Sequence, residues 1–151
     1  MGARAFGTNS ATTAETTFEA SGRPVITLFR DQEDEIVSEI HYEHGRSGQL
    51  LSAVQSVDGD EYFRLVVEYN ERGQMVEERL LFGGELTHKS SFEYNEFGDK
   101  AREIIEDERG NREQYKFEYE YKDPWGNWTR QITHHPLGSD ELRRTLSYYD
   151  Q

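Results

Sequence analysis

The pentapeptide Tyr69-Asn70-Glu71-Arg72-Gly73 returns 25 residues later as Tyr94-Asn95-Glu96-Phe97-Gly98. A short fixed period constrains a fold more than any other sequence signal. Looser copies run from Phe18 to Gly22, from Tyr42 to Gly48 (longer by two residues) and from Tyr121 to Gly126 (longer by one), and Tyr148-Tyr149-Asp150 reads as a truncated copy. A second glycine series, Gly59, Gly84, Gly110 and Gly138, with separations of 25, 26 and 28, falls roughly half a period away from the first. Each repeat therefore holds two turns and two segments of about eight to ten residues, the arithmetic of a hairpin repeat.

Turn chemistry agrees with that arithmetic. Asp58-Gly59 and Gly83-Gly84 suit two-residue hairpin turns, which need positive φ at both positions. Gly110-Asn111 and Pro136-Leu137-Gly138 also read as turns. The first repeat has no mid-turn glycine, so Asp31 to Asp34 must reverse the chain through Asx hydrogen bonding. Gly22, Gly48, Gly59, Gly73, Gly84, Gly98, Gly110, Gly126 and Gly138 are the expected turn glycines. Between turns the pattern alternates: Phe63, Leu65, Val67 and Tyr69 share one face, and so do Tyr115, Phe117, Tyr119 and Tyr121, with charges between them. Ile36, Ser38, Ile40 and Tyr42 form a similar face. Segments 74–82 and 100–108 are rich in helix formers, so short helices compete with strands there. Strands are preferred, because eight or nine residues are too few for an unsupported helix.

These features predict an all-β antiparallel meander of about five tandem hairpins, curled into a half-pipe or partly closed barrel. Its ten expected strands are 23–30, 35–42, 49–57, 61–69, 74–82, 86–94, 100–108, 112–121, 127–134 and 142–149. Residues 1–17 carry no pattern and read as a flexible leader to a repeat domain at 18–151. Sheet edges of such a meander invite pairing with a second copy.

Composition narrows the function. With 30 acidic against 17 basic residues the formal charge is −13, which repels phosphate backbones and argues against nucleic acid as a partner. It favours solubility, or a basic protein partner. The absence of cysteine excludes disulfides and thiolate metal sites. No apolar run would make a membrane span, and Met1 to Ser21 contain no signal peptide.

The candidate chemical residues are few. His41 and His44 are three apart on an expected strand and point to opposite faces, and His88, His134 and His135 read as surface residues. Glu33-Asp34-Glu35 and Asp58-Gly59-Asp60-Glu61 crowd carboxylates at turns without a calcium-loop spacing. No nucleophile elbow, phosphate loop or zinc-helix motif appears, so no catalytic residue, metal or cofactor is assigned and the chain is expected not to be an enzyme. Asn127-Trp128-Thr129 matches a glycosylation sequon by coincidence. Tyr121, Trp125 and Trp128 gather rings near a turn, where they pack between repeats or stack on sugar.

The Tyr-x-x-x-Gly turn at about 25-residue intervals, with its mid-repeat glycine, resembles the YD repeats of bacterial RHS-type proteins. Gly126-Asn127-Trp128-Thr129-Arg130, followed by Arg144-Thr145-Leu146-Ser147-Tyr148-Tyr149, is similar to a recurring ending of small RHS-repeat proteins. Asn70 and Asn95 stand where the family has Asp. The resemblance implies hairpins joined side by side into a long sheet, and a secreted or cell-envelope setting. It points first to a structural or protein-interaction module. A carbohydrate-binding module acting on cell-surface glycan, or an acidic immunity-type protein neutralising a basic toxin, are the alternatives.

Overall fold

The computed structural model describes residues 11–122 and 126–146. Among them eleven strands follow in order: β1 (Thr13–Phe18), β2 (Pro24–Arg30), β3 (Ile36–His44), β4 (Leu50–Val57), β5 (Asp60–Tyr69), β6 (Met75–Phe82), β7 (Glu85–Tyr94), β8 (Lys100–Asp107), β9 (Arg112–Tyr121), β10 (Trp128–His135) and β11 (Gly138–Arg143). They form one sheet in sequence order with β1 and β11 as its terminal strands. The fold is thus an antiparallel meander whose sheet is not closed.

One local turn dictates this order. In it residue i donates its N–H to the carbonyl of i+4, and residue i+3 donates to the carbonyl of i. It begins at Glu19, Asp31, Gly45, Asn70, Asn95 and Asp107. The i+3 residues, Gly22, Asp34, Gly48, Gly73, Gly98 and Gly110, all have positive φ, as a three-residue hairpin loop with a left-handed closing residue requires. Where residue i is Asp or Asn, its Oδ1 also accepts from the N–H groups of i+2 and i+4, at 2.9–3.1 Å. Asp31 does this as well, which is how the first repeat turns without glycine. Asp58-Gly59 (φ 52° and 84°) and Gly83-Gly84 (φ 56° and 82°) make the tight two-residue class.

The irregular repeats also have local causes. The two additional residues after Tyr42 lie in β3, which runs on to His44 before an ordinary turn at Gly45. The additional residue after Tyr121 lies in the loop, where Lys122 N–H reaches the Asn127 carbonyl at 2.7 Å.

Three sequence expectations are corrected. Residues 13–17 are not unpatterned leader: Thr13–Phe18 is a strand paired with β2, held by backbone pairing although its side chains are mostly exposed on both faces. Gly138 is not a turn residue but the first residue of β11, because Pro136-Leu137 alone span the tip between the paired His135 and Gly138. The last strand therefore runs Gly138–Arg143, earlier than 142–149; positions 147–149 lie outside the described residues. The helix-former segments are strands β6 and β8.

Two glycines separate strain from crowding. A Cβ on Gly73 (φ +75°) would meet nothing within 4 Å, so Gly73→Ala costs only conformational strain, about 1–2 kcal/mol. On Gly126 (φ +84°) a Cβ would stand 2.9 Å from Cδ1 of Phe97, adding a clash to the same strain. Urea unfolding is expected to rank Gly126→Ala as the more damaging of the two.

The chain divides into two compact units, Met1–Val67 with Leu80–Leu86 and Glu68–Arg79 with Thr87–Gln151. In the first, register places Thr16, Thr27, Ile40, Gln55 and Phe63 in one row, and Thr17, Ile26, His41, Val54 and Arg64 on the opposite face. In the second, Phe92, Glu103 and Tyr115 share the aromatic face with Phe117, Tyr119 and Gln131, while Arg102, Lys116 and His134 lie on the other. Burial is thin. Among the described residues only Ala53, Val67, Thr27 and Ser90 are buried, and no large side chain is fully so. All four are small or medium side chains.

Candidate interaction surface

The aromatic face of the second unit is built by tyrosines that reach back one repeat. Tyr94 donates its hydroxyl to the Met75 carbonyl, and Tyr119 to the Lys100 carbonyl, each at 2.7 Å and each 19 residues upstream. Both carbonyls lie at or next to a strand start just after a turn, where the hydroxyl satisfies them without leaving the face polar. Tyr121 completes the series. Asn95 Nδ2 donates to its oxygen at 2.5 Å, it donates to Asp99 Oδ2 at 3.1 Å, and its ring lies 4.3 Å from that of Phe97. Lys100 sits amid the rings, with Nζ 4.6 Å from the Phe92 centroid and 2.9 Å from Glu103 Oε2. In the first unit Thr27 plays the linking part, its hydroxyl 2.9 Å from that of Thr16 and 3.3 Å from that of Tyr42.

Burial, followed by the hydrogen bond to Asp99, pushes the Tyr121 phenol up to about 12. Burial also raises Tyr94 and Tyr119. A phenol raised on folding binds its proton more tightly in the native state than in the unfolded chain. Its contribution is therefore fully present below the ordinary tyrosine value near 10 and declines as pH rises from there toward about 12. Thermal stability is expected to fall across that window, with Tyr121→Phe flattening part of the decline; phenolate absorbance followed against pH locates the late-titrating ring.

The opposite face neutralises itself. Arg79 pairs with Glu68 and, at 3.2 Å, with Glu77, which also meets Lys89 at 2.7 Å. Arg102 meets Glu93 at 3.1 Å, and Arg130 bridges Glu120 at 2.8 Å and Glu141 at 2.9 Å. Each such exposed pair contributes about 0–1 kcal/mol, so this ladder serves register and solubility more than stability.

Of the rings singled out from sequence, Tyr121 and Trp128 are brought together as cross-strand partners, while Trp125 lies outside the described residues. Trp128 packs 5.8 Å from Tyr119, and the Arg144 guanidinium covers its ring at 3.9 Å, so a sugar stacking on that face would have to displace a cation. His41 lies across from Val54 and His44 across from Leu50, which keeps them apart, and His41 instead meets Glu39 at 3.0 Å. Asp31 serves its own turn, and Glu61 pairs with Arg64 at 2.5 Å. Among the described residues no three His, Cys, Asp or Glu side chains gather into a metal site.

Sequence spacing missed one polar cluster. His134 Nδ1 lies 2.8 Å from Ser139 Oγ, and its Nε2 lies 3.3 Å from Glu118 Oε1. The order resembles a hydrolase triad, but the His and Glu side chains are 40% and 68% exposed. Water screens the coupling that hydrolases build by excluding it. Only the register of β9, β10 and β11 could reveal this cluster. The described residues form an all-β domain whose second unit carries packed rings on one face and ion pairs on the other.

No known family pattern matches this chain, and no curated protein does. Among solved structures, the fold is similar to part of a Photorhabdus luminescens Tc holotoxin pore, with TM-score 0.52 and 18% identity over 80% of this chain. It is also similar to a porin-like protein from Bacteroides uniformis ATCC 8492, with TM-score 0.53 and 11% identity over 85% of this chain. The aligned region makes up 5% of the first protein and 65% of the second. At such identities the likeness is one of fold: an antiparallel all-β sheet of the kind found in both. No helix among the described residues is long and apolar enough to cross a membrane.

Proposed function

We propose that this chain is a hairpin-repeat module of the YD/RHS type, belonging to a secreted or cell-envelope setting, whose work is to present its aromatic face to another protein. The observation that carries this reading is the asymmetry of the sheet. In the second unit one face carries the rings of Phe92, Tyr115, Phe117 and Tyr119, while the other carries the ion pairs of Arg102 with Glu93 and of Arg130 with Glu120 and Glu141. A sheet with one apolar face gains most of its remaining stability by covering that face. The occupied ring of Trp128 and the bonded phenol of Tyr121 favour a protein over a glycan as the cover.

The test is photo-crosslinking in the cells that make the protein, with a photoreactive phenylalanine at Tyr115 or Phe117 on the aromatic face and at Lys116 or Glu118 on the other. The reading expects polypeptide captured from the first pair and none from the second. Equal capture from both faces would overturn it. So would a saturable glycan with no polypeptide, or crosslinks confined to another copy of the chain through β1 or β11.

A further inference from the structure

Beside the mid-repeat turns of the first unit the fold leaves a group of large apolar side chains open. Ile36, Val57, Tyr62 and Phe82 are 48%, 37%, 55% and 43% exposed. They are neighbours for a structural reason. Tyr62 is the additional residue of a bulge in β5, between the pairs Ser56–Glu61 and Gln55–Phe63. A bulge re-aims a side chain, and here Tyr62 and Phe63 both meet Phe82, at 5.8 Å and 5.1 Å and edge to face. Val57 flanks the Asp58-Gly59 tip on the strand paired with β5. Ile36 borders a depression shared with Asp58 and Gly59. The rim is acidic: Asp34, Glu35, Asp58, Asp60, Glu61 and Glu85 are all exposed, and two bases are paired there, Arg64 on Glu61 and Arg30 on Asp34.

Exposed rings grouped in this way mark a contact surface, and the sign of the rim selects what lands on it. We propose that this patch docks a basic amphipathic segment of another protein, its apolar side chains seated on Tyr62 and Phe82 and its Lys or Arg residues facing the surrounding carboxylates. The inference rests on the interaction-module reading and adds the place and the chemistry of the partner. The acid rim steers the segment in, and the rings supply contact area that a merely charged polymer cannot use.

Fluorescence anisotropy with three labelled peptides of equal length, alternating Lys-Leu, Lys-Ser and Glu-Leu, tests it on the intact chain. The Lys-Leu peptide is expected to bind at least about tenfold more tightly than either other, a difference worth about 1.4 kcal/mol. Tyr62→Ser, at an exposed position, is expected to leave the circular dichroism unchanged and to weaken binding by a similar factor. Neutralising the rim with Asp58→Asn, Asp60→Asn and Glu85→Gln together is expected to weaken it and flatten its salt dependence. Leu142→Ser, exposed on the other unit, should change nothing. The proposal fails if Lys-Ser binds as well as Lys-Leu, or if Leu142→Ser matters as much as Tyr62→Ser. It fails also if sedimentation shows the chain pairing with itself through this patch, so that Tyr62→Ser releases a monomer. Should the patch fail while Tyr115 or Phe117 still crosslinks protein, the general function stands and only this placement falls.

Discussion

Val67→Asp is expected to remove most of the stability of the chain. Val67 is 6% exposed and, with Ala53, forms the buried hydrophobic set among the described residues. A carboxylate placed there loses hydration on a face whose strand neighbours are Leu65 and Tyr69, at a cost on the order of 4 kcal/mol. Domains of this size hold only about 5–15 kcal/mol in total, and a sheet with so little burial belongs at the low end. One residue further on, Glu68 points to the ion-paired face and meets Arg79, so Glu68→Ala should cost less than about 1 kcal/mol. Urea unfolding of the two variants checks both the magnitude and the assignment of faces. Similar losses at both positions would mean that the two faces are not distinct.

Asn95→Ala carries the second large effect, about 2–3 kcal/mol, because one side chain serves three partners. Its Oδ1 accepts from Phe97 and Asp99 at 3.0 Å each, and its Nδ2 donates to Tyr121 in the next repeat. Asn95→Asp separates these roles. The carboxylate keeps both backbone acceptances, but it cannot donate to the phenol and adds charge next to Asp99. It should therefore fall between wild type and Asn95→Ala in a denaturant melt, with Tyr121 fluorescence reporting the lost link. The comparison also explains why asparagine rather than aspartate stands at this turn. The amide joins repeats where a carboxylate would serve only its own loop.

Much of this architecture is legible in the sequence, because the turn depends on a few residues whose conformational needs are visible as letters. The Tyr-Asn-Glu-x-Gly repeat encodes an Asx acceptor and a left-handed closing residue in one string, and Asp58-Gly59 and Gly83-Gly84 encode the tighter class. Alternation in β5 and β9 then separates the faces. What failed to show was structure that side chains do not report. β1 is a strand by backbone pairing, and Thr-Ala-Glu-Thr-Thr-Phe has no buried face to signal it. At the other end, Gly138 followed the glycine spacing but the tip lies in Pro136-Leu137. In β8 the helix formers Ala101, Arg102 and Glu103 are overridden by pairing with β7 and β9 on both sides. Surface features were least legible of all. Arg144 over Trp128, Arg130 between two glutamates, and Tyr62 turned toward Phe82 each depend on register or a bulge, which no spacing rule supplies.

The chain reverses at each of these turns, and every strand pairs with its sequence neighbour. Nuclear Overhauser contacts between Cα protons along the β8–β9 and β9–β10 ladders test that pairing. The fold described here predicts such contacts near Arg102–Lys116 and Tyr119–Gln131, where register sets these residues opposite each other. Contacts between residues three apart within Met75–Phe82 or Lys100–Asp107, the mark of helix, would contradict it.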